Sequence, residues 1–375
     1  MYPLEEELKK ELQQLKELNL YRERKIVKDL TVLCSNNYLN LSNHPKVKES
    51  AKRAIDLFST SAGASQLVSG YTPLHQQTEQ TLQEVKGIPA CITVGSGFLA
   101  NLAILTALLN KEDIVFSDQL NHASIIDGVR LSKAKKIVFP HRDIKALKQL
   151  LETYRGSYRR CVIVSDSVFS MDGDIAPLKE LVKLAKTFNC FLVIDDAHAT
   201  GTIGLSSLHY AGIDWESPIV EVGTFSKALG SYGAYICASN VVIEYLVNKA
   251  RPIIFSTSLP PPALAAAQTS LRLIKENPTL MERLQKLSRW VKTELRNLGV
   301  DLGLTEDITP IVPLMVYSEE RAIKLRDRLL EEGFFVQAIR YPTVEKGKAR
   351  LRLTITLEHP GEVYEKFLKL LKRFL

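Results

Sequence analysis

From about residue 45 to residue 260 the chain alternates helical apolar patterns with short, nearly unbroken apolar runs. This rhythm constrains the fold more than any other feature. The runs fall at 90–94, 114–117, 136–139, 160–165, 191–195, 219–223 and 234–237. Runs of this length without polar alternation read as strands buried on both faces. Strands separated by helices predict an α/β fold with a mostly parallel central sheet covered by helices. Ligands of such sheets gather beyond the carboxyl ends of the strands.

The flanks read differently. Leu4, Leu8, Leu12, Leu15 and Leu18 recur at helical spacing among Glu, Lys and Gln, which predicts an amphipathic helix that must dock on something. A short strand follows at 31–34. Leu259-Pro260-Pro261-Pro262 ends the alternating region. Beyond it the pattern predicts a long helix over 263–298, a strand at 311–316, a helix at 319–332, strands at 335–339 and 350–357, and a last helix from Pro360. The expected organisation is an N-terminal helix and strand segment (1–44), a large domain (45–260) and a small α+β C-terminal domain (261–375). A chain of 375 residues is long enough for two domains.

Composition excludes several classes. Hydrophobic residues make up 45% and charged residues 24%, as in an ordinary globular enzyme. The formal charge of +7 is spread along the chain, which suits anionic partners such as phosphate cofactors, coenzyme A or an acidic carrier protein. No basic stripe with interleaved aromatics appears, so nucleic acid is not an expected partner. The five cysteines lack metal-binding or redox spacing; four of them lie in apolar runs and read as small buried hydrophobes, and a reducing compartment is expected. The longest apolar stretch, 99–109, contains Asn101 and is too short to span a bilayer. The first twenty residues read as a charged helix rather than a secretion leader. A cytoplasmic protein with no membrane partner is expected.

The chemistry concentrates after the strands. Lys227 lies in Gly223-Thr224-Phe225-Ser226-Lys227-Ala228-Leu229-Gly230, and Asp195 ends the preceding run in Asp195-Asp196-Ala197-His198. A lysine and an aspartate at the ends of successive strands fit a pyridoxal 5'-phosphate site. The amine can form a Schiff base with the aldehyde, and the carboxylate can hold a proton on the pyridine nitrogen. Gly95-Ser96-Gly97-Phe98 follows a strand and opens a helix, where backbone amides can meet a phosphate. His122 lies beyond another strand and can stack on a flat ring. The loop 165–174, with Ser170, is polar enough to bond a cofactor, although Asp172-Gly173 also makes a simple turn. His198 and Thr224 can reach a ring oxygen and a phosphate. No metal-ligand cluster is evident.

Together these segments, from Ser35-Asn36-Asn37-Tyr38-Leu39 to Ala349-Arg350-Leu351-Arg352-Leu353-Thr354, closely resemble the α-oxoamine synthases. These are pyridoxal-phosphate enzymes of the transferase fold type I. The resemblance covers nearly the whole chain and implies roles at matching positions. Lys227, His122, Asp195 and His198 would be catalytic. Gly97, Phe98, His122, Ser170, Asp195, His198, Thr224 and Lys227 would bind the cofactor, joined by Thr257 from a neighbouring subunit of a homodimer with shared sites. Arg352 would take the amino-acid carboxylate, and Arg22, Asn37, His122 and Thr343 would contact substrate. Val68-Ser69-Gly70-Tyr71, Phe255-Ser256-Thr257-Ser258-Leu259-Pro260 and Ala338-Ile339-Arg340-Tyr341-Pro342-Thr343-Val344 imply condensation of L-alanine with a pimeloyl thioester of coenzyme A or an acyl-carrier protein. Glycine with acetyl-coenzyme A is the alternative within the family, and aldolase or aminotransferase chemistry a more distant one. Gln66, Asp166 and Tyr341 depart from residues common among relatives, and they bear on acyl specificity.

Overall fold

The computed structural model describes residues 2–374. Its strands, in chain order, are β1 (Thr31–Val32), β2 (Ala90–Val94), β3 (Ile114–Asp118), β4 (Lys135–Phe139), β5 (Cys161–Asp166), β6 (Phe191–Asp195), β7 (Ile219–Thr224), β8 (Ala234–Ala238), β9 (Ile311–Tyr317), β10 (Phe334–Phe335), β11 (Gln337–Ile339) and β12 (Ala349–Thr354). The chain forms two units. The larger comprises Asn36–Ser170 with Asp174–Gln285; the smaller comprises the chain through Ser35, Met171–Gly173 and the chain from Lys286 onward.

The larger unit is built on a seven-stranded sheet in the order β2-β8-β7-β6-β5-β3-β4. All neighbours from β7 to β4 are parallel, and β8 is antiparallel to both β7 and β2. It follows that β2 points the same way as β7. Strands β2, β3, β5, β6 and β7 therefore end on one common edge. Side-chain alternation explains why the runs look unbroken in sequence. Val162 and Val164 enter the apolar cluster that contains Ile104 and Ile125, while Ile163 enters the opposite one with Phe116 and Leu181.

In the smaller unit β11, β12 and β9 form an antiparallel sheet, and β1 pairs in parallel with β10. Helix Gly361–Phe374 buries Tyr364, Phe367, Leu368, Leu370 and Leu371 on one face. The ring of Phe367 meets that of Phe334 edge-on at 5.7 Å between centroids.

Four sequence expectations change. The helix expected over 263–298 is two helices, Pro261–Glu276 and Thr279–Asn297. Pro278 lacks the amide a helix needs and pushes Asn277 out of helical geometry, to φ −126° and ψ 71°. The strand expected at 335–339 is split into β10 and β11, which belong to different sheets. Helix Pro3–Glu17 forms as its leucine spacing predicts, yet none of its residues is buried. Within this chain its apolar face is uncovered.

The fourth change concerns Cys91 and Cys237, which are joined as a disulfide rather than packed as free hydrophobes. They are 146 residues apart in sequence but directly opposite on the antiparallel pair β2–β8, with Cα atoms 4.1 Å apart. Strand register, invisible to cysteine spacing, makes this pair. Among the described residues no helix is long and apolar enough to cross a membrane.

Closing so long a loop is worth up to about 5 kcal/mol in the chain-entropy description. The double variant Cys91→Ala with Cys237→Ala should melt several degrees lower than the oxidised protein, and reduction should lower the oxidised protein toward it. Equal melting of oxidised and reduced protein would show that the bridge contributes nothing.

Candidate active site

Apart from Asn37, which precedes the turn Leu41–Asn43, and Thr257, which follows the helix Arg251–Ile254, each sequence-predicted residue of the larger unit lies at the common carboxyl edge or on the loop just beyond it. Gly97 begins the helix Gly97–Leu108 directly after β2, and Ser96 caps it by accepting the Leu99 amide at 3.3 Å. Helix geometry leaves the amides of Gly97 and Phe98 without intrahelical acceptors. A Cβ on Gly97 would lie 3.8 Å from that of Thr224, so the helix start and the end of β7 share one small space. Backbone amides, a threonine hydroxyl and a positive helix end form a donor set suited to a phosphate.

Asp195 ends β6 and is 5% exposed. Its Oδ2 accepts from Asn101 Nδ2 at 2.7 Å and its Oδ1 from the Ala197 amide at 3.0 Å. Asn101 also donates to Ser124 Oγ at 3.0 Å, tying the carboxylate to the start of the helix that follows His122. The His122 amide donates to Asp166 Oδ2 at 2.7 Å, and His122 Nδ1 lies 2.7 Å from Ser124 Oγ. The backbone on both sides of this ring is therefore fixed, while the residue keeps an exposed face. Partial desolvation lowers the imidazole pKa; the Asp195 charge opposes that shift and the Lys227 charge adds to it. Asp166, paired across from Asp195 at the end of β5, is pushed well above the carboxylate range, by burial first and then by the Asp195 charge. Asp195, Asp166, His122 and Lys227 thus share one electrostatic environment.

His198 is buried, with Nδ1 2.7 Å from the Tyr38 hydroxyl. Lys227 is half-buried on the turn after β7, closed by the Gly230 amide donating to Lys227 O at 2.9 Å. Gly230 has φ +59°, and a Cβ there would lie 2.2 Å from the Ser42 amide nitrogen. Only glycine lets this turn seat. Thr224 Oγ1 donates to Gly233 O at 2.8 Å. Asn37 donates to Ser42 Oγ at 2.7 Å. Ser170 is half-buried and Thr257 is exposed. In the smaller unit Arg22 donates from Nη2 to Thr343 Oγ1 at 3.0 Å, and Arg352 lies on β12, 5% exposed.

Sequence reading missed two supports behind this edge. Lys86 Nζ lies 2.6 Å from Glu221 Oε1 and 3.7 Å from Asp196 Oδ2, all with fully buried side chains, and donates to Thr200 Oγ1 at 2.7 Å. Asp196 Oδ2 also accepts the Ser207 amide at 2.9 Å. The cluster anchors from behind the turn that carries Asp195 and His198. Burial opposes the lysine charge, but Glu221, Tyr235 and Asp196 more than restore it; burial lifts Glu221 to about 7 against the pull of Lys86. The second support is His141, with Nδ1 2.9 Å from Asp118 Oδ1 and Nε2 2.7 Å from Asp174 Oδ2. It clasps the loop leading to His122 to the loop following Ser170. Neither support has a local motif, because the partners are 23 to 135 residues apart in sequence.

The geometry brings together an amine, a buried carboxylate, two imidazoles and an anion cradle, which fits a phosphorylated, electron-accepting ring. The chain belongs to the aminotransferase class I and II family, whose model matches residues 28–371. It is 50% identical over 362 residues to an Aquifex aeolicus protein assigned provisionally as an 8-amino-7-oxononanoate synthase, covering 96% of each chain. An 8-amino-7-oxononanoate synthase of Geobacter sulfurreducens is 45% identical over 365 residues, 93% of each chain. The structure is also similar to a serine palmitoyltransferase from S. paucimobilis with bound PLP–myriocin aldimine. That match has a TM-score of 0.89 and 28% identity, and covers 100% of this chain and 98% of that one.

Replacing Lys86 by Met leaves Glu221 and Asp196 buried without their cation and should cost about 3–5 kcal/mol in urea melts. Adding Glu221→Leu should recover much of that loss. If the double variant is no better than the single one, the cost is not electrostatic.

The two carboxylates beside His141 raise its pKa to about 9 against the burial that would lower it. A raised pKa contributes stability that is complete below the ordinary value near 6.5 and fades as pH climbs through 9. Stability should therefore fall over pH 6.5–9 by on the order of 3 kcal/mol more in the native protein than in His141→Gln. Parallel pH profiles for the two would remove the clasp from this account.

Proposed function

We propose that this protein condenses L-alanine with a pimeloyl thioester, releasing carbon dioxide and free thiol to give 8-amino-7-oxononanoate, with pyridoxal 5'-phosphate as cofactor. The observation that carries the reading is near-full-length identity of 45–50% to relatives named for that reaction, in a chain whose Lys227, Asp195, His198 and His122 share one sheet edge. When bound, the cofactor supplies an aldehyde for the substrate amine and a ring that takes up the electron pair left by proton removal.

In this reading the amides of Gly97 and Phe98, with Ser170 and Thr224, hold the cofactor, and Thr257 reaches it from the second subunit of a homodimer. Asp195, oriented by Asn101, keeps a proton on the pyridine nitrogen. His122 covers the ring face, and the imidazole of His198, braced by Tyr38, meets the ring oxygen. The Lys227 amine removes the α-proton of alanine and later returns a proton there. Arg352 takes the alanine carboxylate, a natural bidentate use of guanidinium. Asn37, Arg22 and Thr343 face the substrates. The exposed Thr257 and the uncovered leucines of Pro3–Glu17 support a second subunit. The acyl donor is a thioester of coenzyme A or of a carrier protein, and the setting is cytoplasmic.

The test is thiol release by the cofactor-loaded protein with L-alanine and pimeloyl-coenzyme A, against glycine and acetyl-coenzyme A. The first pair should be preferred, and Lys227→Ala should lower turnover by about 10²–10⁴-fold or more. Preference for the second pair overturns the substrate assignment, and full activity of Lys227→Ala overturns the mechanism.

A further inference from the structure

At the amino ends of the central strands, opposite the edge that carries Asp195 and Lys227, the larger unit holds a second pair of neighbouring cysteines. Cys161 opens β5, and Cys190 immediately precedes β6. Val162 pairs with Phe191 in parallel, so Cys161 and Cys190 stand side by side one step before the first pair of that ladder. Both side chains enter the apolar cluster that contains Phe116 and Leu181, and so they point to one face of the sheet. Neighbouring strands lie about 4.8 Å apart, inside the Cα span of about 4.4–6.8 Å that a disulfide bridges. The Cys190 amide donates to Ala185 O at 2.8 Å and its thiol to Phe188 O at 3.5 Å, which pins the residue against the end of helix Leu178–Thr187.

Two buried thiols by themselves are explained by packing. Here a cation is built against them. Arg155 donates from Nε to Phe188 O at 3.0 Å, from Nη1 to Tyr158 O at 2.7 Å and from Nη2 to Asn189 O at 3.1 Å. These three acceptors are neutral carbonyls, so they hold the guanidinium in place without offsetting its charge. The Cys161 thiol, by hydrogen bonding, lowers the Cys190 pKa; burial opposes this, and Arg155 lowers it further by its charge and a hydrogen bond. The same thiol–thiol bond, with burial, raises Cys161. The two sulfurs are thereby unequal: one is readied as a thiolate, and its neighbour stays a protonated donor. Both cysteines are buried, but Gly156, Ser157, Thr187 and Asn189 in the flanking loops are exposed, so a small oxidant needs only local opening of those loops.

We propose that Cys161 and Cys190 form a redox modification site that takes a small hydroperoxide, with Cys190 as the attacking thiol, Cys161 as the resolving thiol and Arg155 as the residue that positions charge beside them. The Cys190 thiolate attacks one peroxide oxygen, the O–O bond breaks, and the departing hydroxide takes a proton to leave as water. Cys190 is then a sulfenic acid. The Cys161 sulfur attacks the Cys190 sulfur, the S–O bond breaks, and the second hydroxide leaves as water with the Cys161 proton. Two thiols are oxidised to one disulfide, and one hydroperoxide is reduced by the same two electrons. The inference stands apart from the acyl-transfer reading, because the pair lies at the other edge of the sheet.

The experiment treats the cofactor-loaded full chain with hydrogen peroxide, denatures it in an alkylating agent without reductant, and follows its peptides by mass spectrometry. A cross-linked pair joining Cys161 to Cys190, lighter by two hydrogens than the two free peptides, is the expected product. Both cysteines recovered only as alkylated thiols, or Cys190 cross-linked to Cys34 instead, would overturn the site. In Cys161→Ala the resolving sulfur is gone, and Cys190 should accumulate as a sulfenic acid that dimedone traps; dimedone labelling equal to that of native protein removes Cys161 from the resolving role. Arg155→Gln should slow cross-linking about tenfold, the scale of one pKa unit. Arg155→Lys keeps the charge but loses the fork that holds three carbonyls, and should stay within about threefold of native. If Lys and Gln behave alike, Arg155 only braces the loops and its charge plays no part.

Discussion

Strand direction is the constraint on which the rest of the larger unit depends. The five strands β2, β3, β5, β6 and β7 run the same way, so their carboxyl ends and the loops that follow converge on one edge. A parallel sheet must return each strand through a helix, and those helices bury both faces of the sheet. The edge is then the place where polar side chains can emerge from an apolar frame without being solvated from every side. Asp195, Thr224, the 97–98 amides, His122 and Lys227 come together because they follow strand ends, not because they are close in sequence.

That frame also sets the electrostatics. Asp195 and Asp166 sit on adjacent strand ends in a buried setting, which pushes the Asp166 carboxyl up. Beneath them the ion cluster of Lys86, Glu221 and Asp196 is wholly withdrawn from solvent. A buried cluster of this kind is a poor general source of stability, since desolvation offsets most of its attraction. It is a good positional device, because the buried Lys86 charge lies against both Glu221 and Asp196 and any displacement leaves a buried carboxylate without its cation. Here the arrangement fixes the turn bearing Asp195 and His198, while His141 performs the same service for the loops on either side of the site. The fixed polar groups are the kind of support that carbanion chemistry on an electron-accepting ring requires.

Much of this was legible in the chain. The seven runs of the central sheet were each recognisable: most are buried on both faces and so nearly free of polar residues, while the largely exposed edge strand β4 was legible from Ile137, Val138 and Phe139. The residues beyond them were recognisable from their chemistry: a lysine among small residues, an aspartate with a histidine three positions on, glycines before a helix. Short-range breaks were harder to read. The interruption at Asn277-Pro278 lay inside an otherwise continuous helical pattern, and Val336 separates two strands of different sheets within one apolar run.

The sequence by itself determined the alternating α/β plan, the family to which the chain belongs, and the identity of the groups at the strand ends, since periodicity and local motifs depend only on near neighbours. Tertiary structure decided what depends on register and packing between distant segments. The pairing of Cys91 with Cys237 across β2 and β8, the meeting of Lys86 with Glu221, and the clasp of His141 on Asp118 and Asp174 are all of this kind. So is the meeting of Arg22 with Thr343. No local pattern encodes these contacts, because each exists only once folding has cancelled a long separation along the chain.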